Sequence, residues 1–206
     1  MACTAESVAD AVRAAAAVVA SHRDELVALD RAIGDGDHGE NLNRGFTAVV
    51  AALDEGTPDT PAAVLKLVAS TLISKVGGAA GPLYGTAFLR ASAVVKDAAE
   101  LGPAEVVAAL EAALGGVVAR GKAEVGDKTM VDALSPAVEA ARSADSVSEL
   151  LTAAAEAARA GAESTEPLVA RKGRASYLGE RSAGHVDPGA RSTALILGSF
   201  AAGPVR

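Results

Sequence analysis

Residues 103–121 read PAEVVAALEAALGGVVARG. Their apolar positions Val106, Val107, Leu110, Leu114, Val117 and Val118 fall on one stripe at a helical period,. Pro103 suits a first helical turn, and strand-like alternation is almost absent. Outward from this stretch the same periodicity predicts helices over 5–31 with a break near Ser21, then 39–54, 60–76, 82–100, 127–143, 146–165 and 189–202. Start signals agree: Ser146 with Glu149 forms a capping-box pattern, Thr60 precedes Pro61, and Asp127 can cap the helix after it. Gly56, Gly102 and Gly126 punctuate the ends. The expected fold is all-α, with short connections that set successive helices antiparallel in an up-and-down arrangement. One longer connection, EPLVARKGRASYLGERSAGHVDP at 166–188, is polar and carries Arg171, Lys172, Arg174 and Arg181. It is expected to be a structureless functional loop.

The chain has 206 residues, half of them apolar, yet only three Phe, two Tyr and no Trp. Alanine and valine must therefore fill the interior, which suits close helix-on-helix packing in one domain over 1–206. A net charge of −7 argues against nucleic acid, whose backbone demands clustered Lys and Arg,. Cys3 is the only cysteine, so neither an intrachain disulfide nor a Cys-based zinc site can form,. Glu6, Asp10 and Arg13 interrupt the N-terminal alanine run, and no basic secretory n-region precedes it. No stretch reaches the roughly 20 apolar residues of a membrane span. A cytoplasmic protein, not embedded in a membrane, is expected.

Chemistry concentrates in DRAIGDGDHGENLNR, residues 30–44. Asp30, Asp35 and Asp37 repel one another, and Asp30 stands at a helix C-terminus, where its charge opposes the macrodipole. Gathering them requires a cation. Hard oxygen ligands without a thiolate point to Mg2+ or Ca2+. An isolated acidic turn is the ordinary alternative, but it leaves the crowding unexplained. His38 is either a packed histidine or, beside Gly39 and Asn41 at a helix N-terminus, a phosphate contact. VGGAAGPLYGT at 76–86 opens another helix, and its glycines either make a tight turn or aim amides at an anion. Met130 is by default a core residue. Arg174 is either a solvated cation or a partner for phosphate. Two decoys fail on mechanism. Gly34–Gly39 matches the dinucleotide glycine pattern but comes after a helix and holds two aspartates, and GVVARGKA at 116–123 mimics a P-loop but ends in Ala123 where a hydroxyl belongs.

The runs LDRAIGDGDHGENLNRG, GGAAGPLYGT, RGKAEVGDKTM and ARKGRASYLGERSAGHVDPGA, in this order, resemble the DhaL-type nucleotide-binding domains of dihydroxyacetone kinases. The resemblance implies a closed barrel of eight antiparallel helices with ADP or ATP held at one end. It implies that Asp30, Asp35 and Asp37 ligate two Mg2+ ions, and that His38, Gly39, Glu40 and Asn41 line the phosphates. Ala79 and Ala80 would sit at the second glycine-rich turn, Gly121 and Met130 would border the adenine, and Arg174, Val186, Asp187 and Pro188 would close the pocket. Many family members carry serine where Ala80 stands, so a hydroxyl near the phosphates is missing. The implied activity is phosphoryl transfer to dihydroxyacetone bound on a separate partner subunit. Because no acceptor domain is fused to this chain, ADP is expected to be rephosphorylated in place by a phosphohistidine carrier of the phosphotransferase system. A transcription regulator and a second copy are further partners to consider. The alternatives are an ATP-dependent kinase domain with another acceptor, such as the fatty-acid type, an ADP-loaded regulatory module, and a Mg2+-dependent phosphohydrolase.

Overall fold

In a computed structural model, residues 3–203 are described. Among them are nine α-helices: α1 (Ala5–Ser21), α2 (Arg23–Ile33), α3 (His38–Glu55), α4 (Pro61–Lys75), α5 (Ala80–Val94), α6 (Pro103–Gly121), α7 (Met130–Ala141), α8 (Val147–Glu163) and α9 (Pro188–Ala202). Side-chain oxygens start five of them. Thr4, Thr60, Thr129, Ser146 and Asp187 each accept a backbone N–H from the first turn of the adjoining helix, which satisfies a donor the helix cannot. At α6 the bond runs the other way, from the Gly102 N–H to the Glu105 carboxylate at 2.9 Å.

The helices pack in a ring. From α3 to α9 each helix lies against the next, α9 returns to α1, α1 packs on α3, and α2 covers one end against α3 and α9. The ring closes around Val12, Val19, Leu42, Phe46, Val49, Val64, Leu72 and Leu150, all 1% exposed or less. Full burial of each such side chain is worth about 1.5–3 kcal/mol. Small residues set the helix spacing where side chains cannot fit. A Cβ on Gly161 of α8 would overlap the Asp132 carbonyl of α7, so these two helices meet backbone to backbone. No strand occurs among the described residues, and an isolated bridge ties Cys3 to Leu101. No described helix is long and apolar enough to cross a membrane.

The all-helical expectation holds, with local corrections. The break expected near Ser21 falls at His22, which divides the first stretch into α1 and α2. There the His22 ring and the Ser21 hydroxyl both bond back to the Val18 carbonyl, each at 2.9 Å. Helix α7 begins at Met130 behind Thr129, because Asp127 turns its carboxylate onto the Glu124 N–H at 3.0 Å instead. Helix α5 stops at Val94, short of residue 100. Gly102 precedes α6 and Gly126 sits inside the 122–129 connection, so neither ends a helix. Val118 leaves the apolar stripe and is 37% exposed. The 166–188 connection is not structureless: Arg174–Ser182 form a 3-10 segment, kinked at Gly179 where φ is 56°. Both decoys lie in helical surroundings, one after α2 and the other at the end of α6.

Candidate functional site

The turn between α2 and α3 folds around one carboxylate. Asp30, in the last turn of α2 and 9% exposed, accepts the Asp37 N–H at 2.8 Å and the His38 N–H at 3.1 Å on Oδ2. Two such bonds aim the group and leave its other oxygen free for a cation. A Cβ on Gly34 would overlap Asp30 Oδ1, and Gly36 takes φ of 77°, so the turn needs glycine at both positions. As a result Asp30, Asp35 and Asp37 each offer an oxygen within 4.8 Å of the others. From the 3-10 segment Arg174 forms an ion pair with Asp35, its Nε 2.9 Å from Oδ2.

These carboxylates stand at the mouth of a cavity of about 460 Å³. Of the residues singled out in the sequence, Asp30, Asp35, Asp37, His38, Asn41, Ala79, Ala80, Gly121, Met130, Arg174, Asp187 and Pro188 line it. Gly39, Glu40 and Val186 do not. Gly39 is buried against α2, where a Cβ would overlap the Arg23 carbonyl. Glu40 points outward, 3.6 Å from Arg23. Asn41 accepts from Arg44 at 2.6 Å, and Arg44 reaches the Lys75 carbonyl at 3.0 Å, which couples α3 to the 76–79 turn. That turn needs the left-handed φ of 65° at Gly78. At the far wall Gly121 lies against Leu83, and Met130 is 5% exposed. The Met130 side chain thus serves the core and the cavity wall together.

A buried polar chain runs inward from His38. Its Nε2 is 2.9 Å from Ser192 Oγ, Ser192 Oγ is 2.7 Å from the Tyr84 hydroxyl, and that hydroxyl is 2.9 Å from Thr193 Oγ1. Ser192 and Thr193 both donate to the Gly189 carbonyl, at 3.0 and 2.8 Å. Burial lowers the His38 pKa, opposed by Asp30, Asp37 and a bond to the Pro188 carbonyl. Burial also pushes the Tyr84 pKa up to about 12. Asp187 is pushed up to about 7 by burial, against the pull of the Ala190 N–H and Lys128. Lys172, named among the cations of the 166–188 connection, lines the cavity as well, and so do Tyr84, Arg120, Lys128 and Thr129, which sequence reasoning passed over. Lys128 stood inside the motif GDKTM between Asp127 and Thr129, where nothing marks it as buried. Ser192 gave no signal, since nothing in a helical run marks one serine as buried.

The chain is an all-helical ring with a cavity lined in part by three clustered carboxylates. Residues 32–202 match the DAK2 domain, and the chain belongs to that family. It is 45% identical over 184 residues to the "PEP-dependent dihydroxyacetone kinase, ADP-binding subunit DhaL" of Escherichia coli (strain K12), covering 87% of this chain and 88% of that one. It is 47% identical over 174 residues to the "PTS-dependent dihydroxyacetone kinase, ADP-binding subunit DhaL" of Lactococcus lactis subsp. lactis (strain IL1403), covering 84% and 83%. Among solved structures, the dihydroxyacetone kinase from C. freundii in complex with AMP-PNP and Mg2+ superposes with a TM-score of 0.74 at 30% identity. The match covers 95% of this chain and 33% of that longer one.

Proposed function

We propose that residues 1–206 form one nucleotide-binding domain, the ADP-binding subunit of a dihydroxyacetone kinase. It holds Mg-ADP or Mg-ATP and passes the phosphoryl group to dihydroxyacetone on a separate partner subunit. The observation that carries this reading is the triad of carboxylates at the mouth of a 460 Å³ cavity, in a chain whose relatives are ADP-binding subunits along most of their length.

The donor set fits Mg2+. All three ligands are hard oxygens, they converge within 4.8 Å, and Asp30 is held by two backbone N–H groups. Asp30, Asp35 and Asp37 would hold two ions, which offset most of the negative charge of the carboxylates and a diphosphate. Bound there, Mg2+ would neutralise the phosphate oxygens as the terminal P–O bond breaks. The chain's own groups do the rest. The N-terminus of α5 presents amides and a positive dipole end to anionic oxygens, whereas the first amides of α3 are taken by Asp30. Arg174, already beside Asp35, adds a planar cation at the mouth. The Leu83, Gly121 and Met130 wall takes the adenine and excludes water. Ala80 contributes its backbone N–H in place of a hydroxyl.

The relatives' PEP- and PTS-dependence supports rephosphorylation of bound ADP by a phosphohistidine carrier, and with it a cytoplasmic location. A transcription regulator and a second copy as partners rest on the resemblance alone. Mass spectrometry under native conditions tests the reading: retained ADP with two Mg2+ is expected. Protein that emerges without nucleotide, and that turns over free ATP with the acceptor subunit, would overturn the coenzyme role.

A further inference from the structure

Lys128 is 1% exposed, and it is a buried cation that the proposed chemistry leaves idle. It sits in the 122–129 connection with a left-handed φ of 62°, a conformation that disfavours a side chain and holds only where the surroundings enforce it. Its Nζ donates to the Thr165 carbonyl at 2.6 Å, the Glu166 carbonyl at 3.4 Å and the His185 carbonyl. An ammonium has three N–H bonds, and all three are engaged. Although its stem lines the cavity, Lys128 has no donor left for a phosphate.

Those three carbonyls mark the two ends of the excursion between α8 and α9. The same neck is tied by Gly184 N to Glu166 O at 2.8 Å and by Asp187 N to Thr165 Oγ1 at 2.9 Å. The excursion also rests on the Lys128 connection at its middle, through Arg171 N to Asp127 O at 3.1 Å. From this neck hangs the 3-10 segment that places Arg174 beside Asp35. The Arg174 side chain is held by an exposed ion pair, of a kind worth about 1 kcal/mol or less, and its segment packs Ala175 on Ile33 of α2 and on Ala170. That small apolar patch is the segment's other support besides the neck.

We propose that Lys128 is a positioning residue: by gathering the Thr165, Glu166 and His185 carbonyls it pins the 166–187 excursion, so that Arg174 stands over the carboxylate cluster. The clamp acts through Arg174 and not on the nucleotide. Burial lowers the Lys128 pKa, opposed by Asp187, Glu166 and Asp132, and the three carbonyls accept its N–H bonds. The consequence for nucleotide affinity rests on the reading proposed above; the clamp on the excursion does not.

A double-mutant cycle on the full chain separates the cases. Mg-ADP affinity is measured by titration for the wild type, K128M, R174Q and the double variant. K128M is expected to weaken binding about tenfold, R174Q by a similar factor, and the pair no more than either alone. Factors that multiply would overturn the proposal, because Lys128 would then act without Arg174. If K128M does not fold, K128Q, neutral and with two donors, replaces it in the same cycle. A second readout needs no nucleotide. Amide hydrogen exchange over 171–184 should quicken at least tenfold in the Lys128 variant while α4 and α9 keep their protection. Unchanged exchange there, or a uniform rise everywhere, would reject the clamp. Should the wild type bind no Mg-ADP while this exchange pattern appears, the functional reading fails and the clamp survives.

Discussion

His38 Nε2 and Ser192 Oγ meet at 2.9 Å and join the first turn of α3 to α9. Ser192 also touches the Tyr84 hydroxyl at 2.7 Å and is fully buried. Removing the Ser192 hydroxyl leaves one bond fewer for both neighbours at a buried junction. Ser192→Ala is expected to lower unfolding free energy by about 1–3 kcal/mol, read from urea melts of the nucleotide-free protein. A loss under a few tenths of a kcal/mol would mean the chain of hydroxyls carries no strength.

Asp35→Asn and Asp37→Asn should abolish Mg2+-dependent nucleotide binding while far-UV circular dichroism stays that of the wild type. Both side chains are exposed at the cavity mouth, so the helices do not depend on them. In the wild type, Mg2+ with ADP at a hundredfold over Kd should add about 2.7 kcal/mol of stability, seen as a higher Tm that chelation reverses. A variant that still gains this Tm would contradict the cluster as the metal site.

Asp187 binds a proton in the folded chain up to about pH 7, whereas its ordinary pKa is 3.8. Between these values the folded state holds more protons than the unfolded one. Stability must then fall as pH rises from about 4 to about 7, and level off above. Asp187→Asn keeps an oxygen to accept the Ala190 N–H and removes the titration. In chelator it should flatten that slope and leave the variant more stable at pH 8, by an amount on the order of 1–4 kcal/mol. Parallel stability curves for the two proteins would show that Asp187 does not titrate there.

Gly39→Ala should destabilise the fold by about 1–3 kcal/mol, because a Cβ would overlap the Arg23 carbonyl and crowd Val27. Urea denaturation reads this without any ligand. A neutral substitution would indicate that α2 shifts freely against α3, and would remove the packing reason for this glycine.

Residues 30–41 made the carboxylate cluster legible, since three aspartates among glycines repel one another in almost any local geometry. Arg174, Gly121 and Met130 were legible only through family resemblance, because an exposed arginine, a helix-end glycine and a core methionine look alike in countless sequences. Lys128, Tyr84 and Ser192 were not legible at all. Their partners lie far along the chain, and a hydroxyl or an amine says nothing of burial by itself.

Helical periodicity and capping oxygens are local properties, written in spacings of three or four residues, so the chain alone determined that it would be all helix and roughly where each helix begins. The tertiary structure decided what depends on distant segments meeting. It closed the ring by setting α9 on α1, wound the 174–182 segment into a 3-10 turn, and brought Lys128 to the carbonyls of Thr165 and His185. Such contacts arise only when loops are closed and water is expelled, and no short window of sequence encodes which carbonyl a buried ammonium will find.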